Sequence, residues 1–219
     1  MPLDLSLYAL LDPTVAGGHT LPDLARLIAS SATLVQLRDK HSPTRALVEE
    51  ARRLRAVLEP AGVPLLINDR VDVALAAEAD GVHIGQDDMA PEDARLLLGR
   101  TAIIGLTIQS VAQAEAAPLE LIDYVGVGGV YATTSKDNTR LPIGPAGLTR
   151  IVEVIRARRP GFPVCGIAGI TAGNAADVIA AGADGVAVIS TVSLAPDPAK
   201  AAQELRAVVD GALKRRERA

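Results

Sequence analysis

The 219-residue sequence contains no tryptophan, one phenylalanine, one cysteine and three histidines. With so few aromatics the interior must be built from Ala, Val, Leu and Ile, a composition that suits buried parallel strands beneath Ala-rich helices. The lone Cys165 sits in the apolar run Pro163-Val164-Cys165-Gly166-Ile167. It cannot form an internal disulfide and reads as a small core residue, which implies a reducing cytoplasm. Neither an apolar stretch of about 18 residues nor a basic leader with an apolar core occurs, so no membrane span and no export are expected. Basic clusters are missing too, apart from Lys214, Arg215, Arg216 and Arg218 at the C-terminal end, and the formal charge is −4. That run reads as a solvated helix end, and no nucleic-acid footprint is present.

What the sequence does have is a repeat. Short apolar runs rich in β-branched residues alternate with longer stretches of helical periodicity, the pattern of parallel βαβ construction. Strands are expected at Leu5 to Leu11, Leu34 to Arg38, Pro64 to Asn68, Gly81 to Ile84, Ile103 to Thr107, Tyr124 to Gly128, Val164 to Ile167 and Gly185 to Ile189. A doubly wound sheet shares this alternation, but a count of about eight units favours a closed barrel. The expected architecture is therefore one (β/α)8 TIM-barrel domain across residues 1–219, a little shorter than the roughly 250 residues usual for the fold. Helix starts are marked by Thr20 before Leu21-Pro22-Asp23, Ser42 before Pro43, and Ala90 before Pro91-Glu92-Asp93. Ala79-Asp80-Gly81-Val82 and Ala183-Asp184-Gly185-Val186 resemble one another, as expected of a duplicated unit. Tyr131 to Pro145 is polar and too long for an ordinary connection, and reads as a mobile active-site loop.

In such a barrel chemistry gathers where strands end, because the βα loops there form the open mouth. Strand two ends in Gln36-Leu37-Arg38-Asp39-Lys40, strand three in Asn68-Asp69, strand four leads to Gln86-Asp87-Asp88, strand five ends at Thr107, and Thr133, Ser135 and Lys136 follow strand six. Arg38, Lys40 and Lys136 suit phosphate oxygens, the guanidinium as a planar fork and the ammonium groups as point charges. Asp69 and Asp88, from neighbouring units, are able to share Mg²⁺, which is commonly held by one or two carboxylates plus substrate phosphates. Gly166-Ile167-Ala168-Gly169-Ile170 and Ile189-Ser190 lie where barrels often bind a second phosphate. Any one strand-end Arg or Asp is ordinarily a surface or salt-bridge residue. Matching chemistry at five or more strand ends is what ordinary surface placement explains badly. His83 lies inside an apolar strand and reads as a satisfied core histidine.

These motifs resemble the thiamine phosphate synthases over nearly the whole chain. The resemblance implies that Gln36, Leu37, Arg38, Asp39, Lys40, Asn68, Thr107 and Lys136 bind a pyrimidine diphosphate, with Arg38, Lys40 and Lys136 catalytic. It implies that Thr133, Thr134, Ser135, Gly169, Ile189 and Ser190 bind a thiazole phosphate, and that Asp69 and Asp88 hold Mg²⁺. The implied reaction releases pyrophosphate first and then forms the bond from pyrimidine methylene to thiazole nitrogen, with no protein nucleophile. A homodimer is implied by the same analogy. The chain departs from the family pattern at Thr107 (commonly Ser), Ser135 (commonly Thr), Ala168 (commonly Gly) and Arg70 (frequently an acid). Two alternatives stand beside this reading: the related thiazole tautomerases, which carry a catalytic His where this chain has Gln109, and a non-catalytic ligand-binding barrel.

Overall fold

A computed structural model describes residues 3–133 and 141–218. Eight strands, β1 (Leu7–Leu11), β2 (Leu34–Leu37), β3 (Leu65–Asn68), β4 (Gly81–Ile84), β5 (Ile103–Ile108), β6 (Tyr124–Val127), β7 (Val164–Ile167) and β8 (Gly185–Val188), run in chain order around a closed barrel. Every pairing is parallel, and β8 returns to β1 through Leu7↔Val186 and Tyr8↔Ala187. That closing pair decides against the doubly wound sheet, which would leave two edges. Between the strands lie α1 (Leu21–Ile28), α2 (Thr44–Leu58), α3 (Val71–Ala77), α4 (Pro91–Leu98), α5 (Val111–Ala116), α6 (Gly144–Arg158) and α7 (Ala175–Ala180). After β8 come a one-turn α8 (Ser190–Ser193) and a long α9 (Pro198–Arg216). No helix among the described residues is long and apolar enough to cross a membrane.

The helix starts follow their local chemistry. Thr20 caps α1: its hydroxyl accepts from Asp23 N–H at 3.3 Å and donates to the Asp23 carboxylate at 2.7 Å, so two polar groups are satisfied together. Ala90 flanks α4, whose first turn carries Pro91, Glu92 and Asp93. Ser42 does not flank α2. That helix begins at Thr44 after Pro43 with no side-chain cap, one residue later than expected, and Asp39 accepts from the Ser42 N–H at 3.0 Å in the turn before it. The segment after β6 ends slightly earlier than expected, since α6 starts at Gly144. Residues 134–140 of it lie outside the described residues.

Alternation along the strands creates two cores. An outer one between sheet and helices is Leu, Ile, Val and Ala throughout, apart from Phe162. The inner one fills the barrel with Leu5, Tyr8, Leu10, Leu34, Leu66, Tyr124 and Cys165, so two of the three tyrosines are spent here. Glycines make room for these rings: a Cβ on Gly105 would lie 2.1 Å from the Tyr124 ring, and one on Gly126 would lie 3.0 Å from His83 Cε1.

The repeated Ala-Asp-Gly has a structural cause at the N-terminal end of the barrel. Asp80 accepts from Leu65 N–H (2.8 Å), Asp184 from Val164 N–H (3.0 Å), Asp123 from Ile104 N–H (2.8 Å), and Thr33 Oγ1 from Leu7 N–H (3.1 Å). In each case the residue leading into an even strand satisfies an amide near the start of the odd strand before it. The following glycine permits close backbone approach, since a Cβ on Gly81 or Gly185 would fall 1.8 Å from Ile103 O or 1.7 Å from Leu5 O.

Candidate active site

The C-terminal ends of the strands gather the polar side chains that the alternation assigned to them. Arg38, just beyond β2, pairs with Asp12, just beyond β1, and the Asp12 side chain is almost fully enclosed. Asp12 is held in turn by the Thr14 N–H (2.9 Å) and hydroxyl (2.6 Å). The guanidinium is thereby fixed through Nη1. Lys40 reaches Asp69, Nζ to Oδ2 at 3.5 Å.

Asp69 follows β3 with φ at 62°, a left-handed backbone that an aspartate tolerates better than most side chains. Its N–H donates to His83 O at 2.9 Å, which ties the turn to β4. Burial and the adjacent Asp88 carboxyl together push the Asp69 carboxyl above its usual range, and Lys40 only partly opposes them. Asp88 is itself anchored, accepting from Gly85 N–H at 2.7 Å. Two hard oxygen donors are thus held side by side at a cost in charge repulsion. Among the described residues no group of three or more His, Cys, Asp or Glu is placed to hold a metal. A divalent cation here would draw its remaining ligands from water or from a bound anion, the pattern Mg²⁺ prefers. Arg70 is turned away: its guanidinium grips Asp72 at 2.6 and 2.8 Å and donates to Thr44 at 3.0 Å.

The second half of the mouth is a cavity lined by Leu10, Thr133, Ile167, Ala168, Gly169, Ile170, Ala187, Val188, Ile189, Ser190 and Thr191. The segment after β6 is fastened to the end of β7, with Val130 N–H donating to Ile167 O (3.0 Å) and Tyr131 N–H to Ala168 O (3.1 Å). Gly169 is required by this contact, because a Cβ there would meet Ala132 O at 2.3 Å. Ala168 takes φ 85°, a conformation natural to glycine and strained for alanine. Ser190 opens the short α8 beside the cavity.

The remaining residues divide clearly. Gln36 is buried inside the barrel with its amide nitrogen donating to the Tyr8 hydroxyl. Thr107 Oγ1 lies 2.8 Å from His83 Nε2, and its carbonyl accepts from Gln86 Nε2 at 2.6 Å. Asn68 is half-buried at the end of β3. Leu37 packs in the outer core, so only its backbone can meet a ligand. The Asp39 carboxylate accepts from His41 and Ser42 N–H at 2.9 and 3.0 Å; against burial, which raises it, the Ser42 side chain and these two amides hold it below its usual range. It shapes the loop that carries Lys40. Thr134, Ser135 and Lys136 lie outside the described residues.

Sequence reasoning missed Asp12, the partner of Arg38, and the buried group of Tyr8, Tyr124 and His83. Asp12-Pro13-Thr14 at the end of the first strand is a turn signal that was available for the former. Nothing local marks the latter, because its members come from three strands.

A closed barrel with cations, paired carboxylates and a glycine-containing loop at its C-terminal mouth is the architecture of a (β/α)8-barrel enzyme. The chain belongs to the thiamine monophosphate synthase family, whose profile matches residues 7–192. It is 48% identical over 216 residues to a thiamine-phosphate synthase of Agrobacterium fabrum, covering 98% of each chain. To one of Xanthobacter autotrophicus it is 49% identical over 209 residues, covering 95% of this chain and 97% of that one. Among solved structures it is similar to a thiamine phosphate pyrophosphorylase from Pyrococcus furiosus, with a TM-score of 0.83 and 36% identity over 96% of this chain and 98% of that one.

Proposed function

We propose that the protein is a transferase that joins 4-amino-2-methyl-5-hydroxymethylpyrimidine diphosphate to a thiazole phosphate, giving thiamine phosphate and pyrophosphate. The observation that carries this reading is the divided mouth: Arg38 and Lys40 beside the Asp69–Asp88 pair on one side, and the Gly169–Ser190 cavity on the other. Two anionic substrates need two such sites. The family membership of the chain supports the same pairing of substrates.

In this mechanism the C–O bond from the pyrimidine methylene to the diphosphate breaks first, with the electron pair leaving on pyrophosphate. The thiazole nitrogen then supplies the pair for the new C–N bond. Negative charge grows on the leaving group, so Arg38 and Lys40 accelerate the step by holding cations where charge develops. Lys136 joins them on the strength of its place after β6. Gln36, Asn68 and Thr107 orient the aminopyrimidine, Leu37 and Asp39 complete the β2 loop, and Thr133, Thr134, Ser135, Gly169, Ile189 and Ser190 place the thiazole phosphate. Asp69 and Asp88 would hold Mg²⁺, and their two hard oxygens, with the raised proton affinity of Asp69, fit such an ion. When bound, the ion supplies charge neutralisation to the departing diphosphate. The tautomerase alternative is disfavoured because residue 109 is Gln, whose backbone N–H is turned to Gln113 Oε1 at 2.7 Å. We place the enzyme in the cytoplasm, where the buried Cys165 stays reduced, and as a homodimer by family analogy.

Pyrophosphate release from the purified protein with both substrates and Mg²⁺, each omitted in turn, tests the reading. Release that needs all three, matched mole for mole by thiamine phosphate, is expected. A folded protein that binds either substrate without releasing pyrophosphate would overturn it in favour of a binding barrel.

A further inference from the structure

In the loop that follows β7 the carbonyls are occupied and the amides are not. Ile167 O accepts from Val130 N–H at 3.0 Å, Ala168 O from Tyr131 N–H at 3.1 Å, Gly169 O from Asn174 Nδ2 at 3.0 Å and Ile170 O from the Thr191 hydroxyl at 2.5 Å. The N–H groups of Ala168, Gly169 and Ile170 donate to no acceptor among the described residues. All three residues line the mouth cavity, Ile170 although its side chain is buried in the outer core. In a trans peptide the C=O and the N–H that follows it point in opposite directions. Whatever fixes the Gly169 carbonyl therefore fixes the Ile170 N–H as well.

Asn174 does this from outside the cavity, which it does not line. Its amide is used at both ends: Nδ2 donates to Gly169 O, and Oδ1 accepts from Thr171 N–H at 2.8 Å. Turning the amide over would set donor against donor and acceptor against acceptor, so its orientation follows from its two partners. Asn174 also flanks α7, where an asparagine ordinarily accepts from an amide of the first turn, yet its side chain makes no such bond. The side chain is committed backwards, to the loop. Gly169, at φ 65°, has no Cβ to resist rotation of the peptide that follows it. Without Asn174 that peptide is free to turn over and point a carbonyl oxygen where its N–H had been.

We propose that Asn174 is a positioning residue for the thiazole-phosphate side of the mouth: by holding the Gly169 carbonyl away from the cavity it presents the Ile170 N–H, beside those of Ala168 and Gly169, to the phosphate. Successive backbone N–H groups make a concavity suited to an anion, whereas a carbonyl turned in among them repels it. Thr191 acts in the same sense one peptide later, through the Ile170 carbonyl. The inference rests on the thiazole-phosphate assignment above and adds the residue, itself outside the cavity, that gives the loop its polarity.

The test measures kcat, both KM values and Tm for wild type, Asn174→Ala and Asn174→Asp. Asn174→Ala should raise KM for thiazole phosphate about tenfold, with kcat and the KM for the pyrimidine diphosphate within about twofold of wild type. Asn174→Asp keeps an acceptor for Thr171 N–H and a residue type equally suited to flank a helix, but it cannot donate to the Gly169 carbonyl. Its Tm should stay within about 2 °C of wild type, while its KM for thiazole phosphate rises at least as far as in Asn174→Ala. That rise, taken as a ratio to wild type, should persist at about 1 M salt, where repulsion between the new carboxylate and the phosphate is screened within roughly 3 Å. Should Asn174→Ala fail to fold, Asn174→Asp carries the test alone. A wild-type KM for thiazole phosphate in Asn174→Asp would show that Asn174 only shapes the turn, and overturns the inference. A rise that vanishes in salt, or one shared equally by both KM values, overturns it too, and each of these results leaves the function reading intact. Absence of wild-type turnover overturns the function reading and the inference with it.

Discussion

Aspartates stand at both ends of this barrel, in opposite circumstances. At the N-terminal end Asp184 accepts from Val164 N–H and is paired with Arg156 and Arg216, each at 2.8 Å. Asp123 is held in the same way by Ile104 N–H and by Arg95 at 2.8 Å. At the mouth Asp69 has the Asp88 carboxyl against it and, among the described residues, one cation, Lys40, 3.5 Å away. The same side chain is structural where its charge is answered by protein groups, and available for chemistry where a like charge is left beside it. Conserving fold and performing a reaction are thus divided between the two rims, as barrels of this kind permit.

Substitutions at the two rims should therefore fail in different ways. The largest expected effect is at the mouth: Asp88→Asn should lower Mg²⁺-dependent turnover by about 100-fold or more, equal to about 2.7 kcal/mol of transition-state stabilisation. Thermal unfolding should scarcely move, and unchanged turnover at limiting Mg²⁺ would remove Asp88 from the metal site. At the opposite rim Asp184→Ala should cost about 2–3 kcal/mol of stability, since an amide and two guanidinium groups lose their partner. Activity per folded molecule should survive, and a chemical denaturation midpoint equal to wild type would contradict the comparison.

The pH dependence separates the rims more finely. Burial and Asp88 raise the Asp69 proton affinity, so protons compete with a cation at the mouth. At limiting Mg²⁺ turnover should fall as pH drops through that raised value, and saturating Mg²⁺ should move the limb to lower pH. The sign for folding is the reverse of an ordinary paired carboxylate. Native Asp69 keeps its proton to higher pH than the unfolded chain does, so its contribution is favourable below the unfolded value and is lost as pH rises through the folded one. Asp88→Asn should weaken both dependences; profiles that stay the same would mean that Asp88 does not set the Asp69 proton affinity. The smallest effect is expected at Ala168. Replacing it by Gly relieves a left-handed alanine and should stabilise by about 0.5–1 kcal/mol, raising Tm by about 1–4 °C. Thiazole-phosphate KM should not increase, and a fall in Tm would show that loop packing outweighs the backbone strain.

Much of the barrel was legible because its signals are local. The apolar runs mark strands to within a residue or two: β4 and β7 coincide with expectation, while β1 begins at Leu7 instead of Leu5. The cations and carboxylates after β2, β3 and β4 were readable from period-two alternation and from the rule that barrel chemistry sits at strand ends. The helix expected after Ser42 is present but begins one residue later, at Thr44, with Pro43 at its N-cap. Tyr8, Tyr124 and His83 were invisible as a unit, since sequence separations of 41 and 116 residues divide partners that touch. His83 could be read only as a satisfied core residue, and what satisfies it turned out to connect Thr107 with Gln36.

The sequence by itself determined the βα repeat, the poverty of aromatics that makes the outer core aliphatic, and the residue types placed at each strand end, because periodicity and composition act over a few neighbouring residues. Tertiary structure alone decided that β8 meets β1, that Asp12 clamps Arg38, that Asp69 and Asp88 share one place, and that the inner tyrosines and His83 join Gln36 to Thr107. Those outcomes depend on closing the barrel, which brings distant strands within hydrogen-bonding distance and removes water from between them.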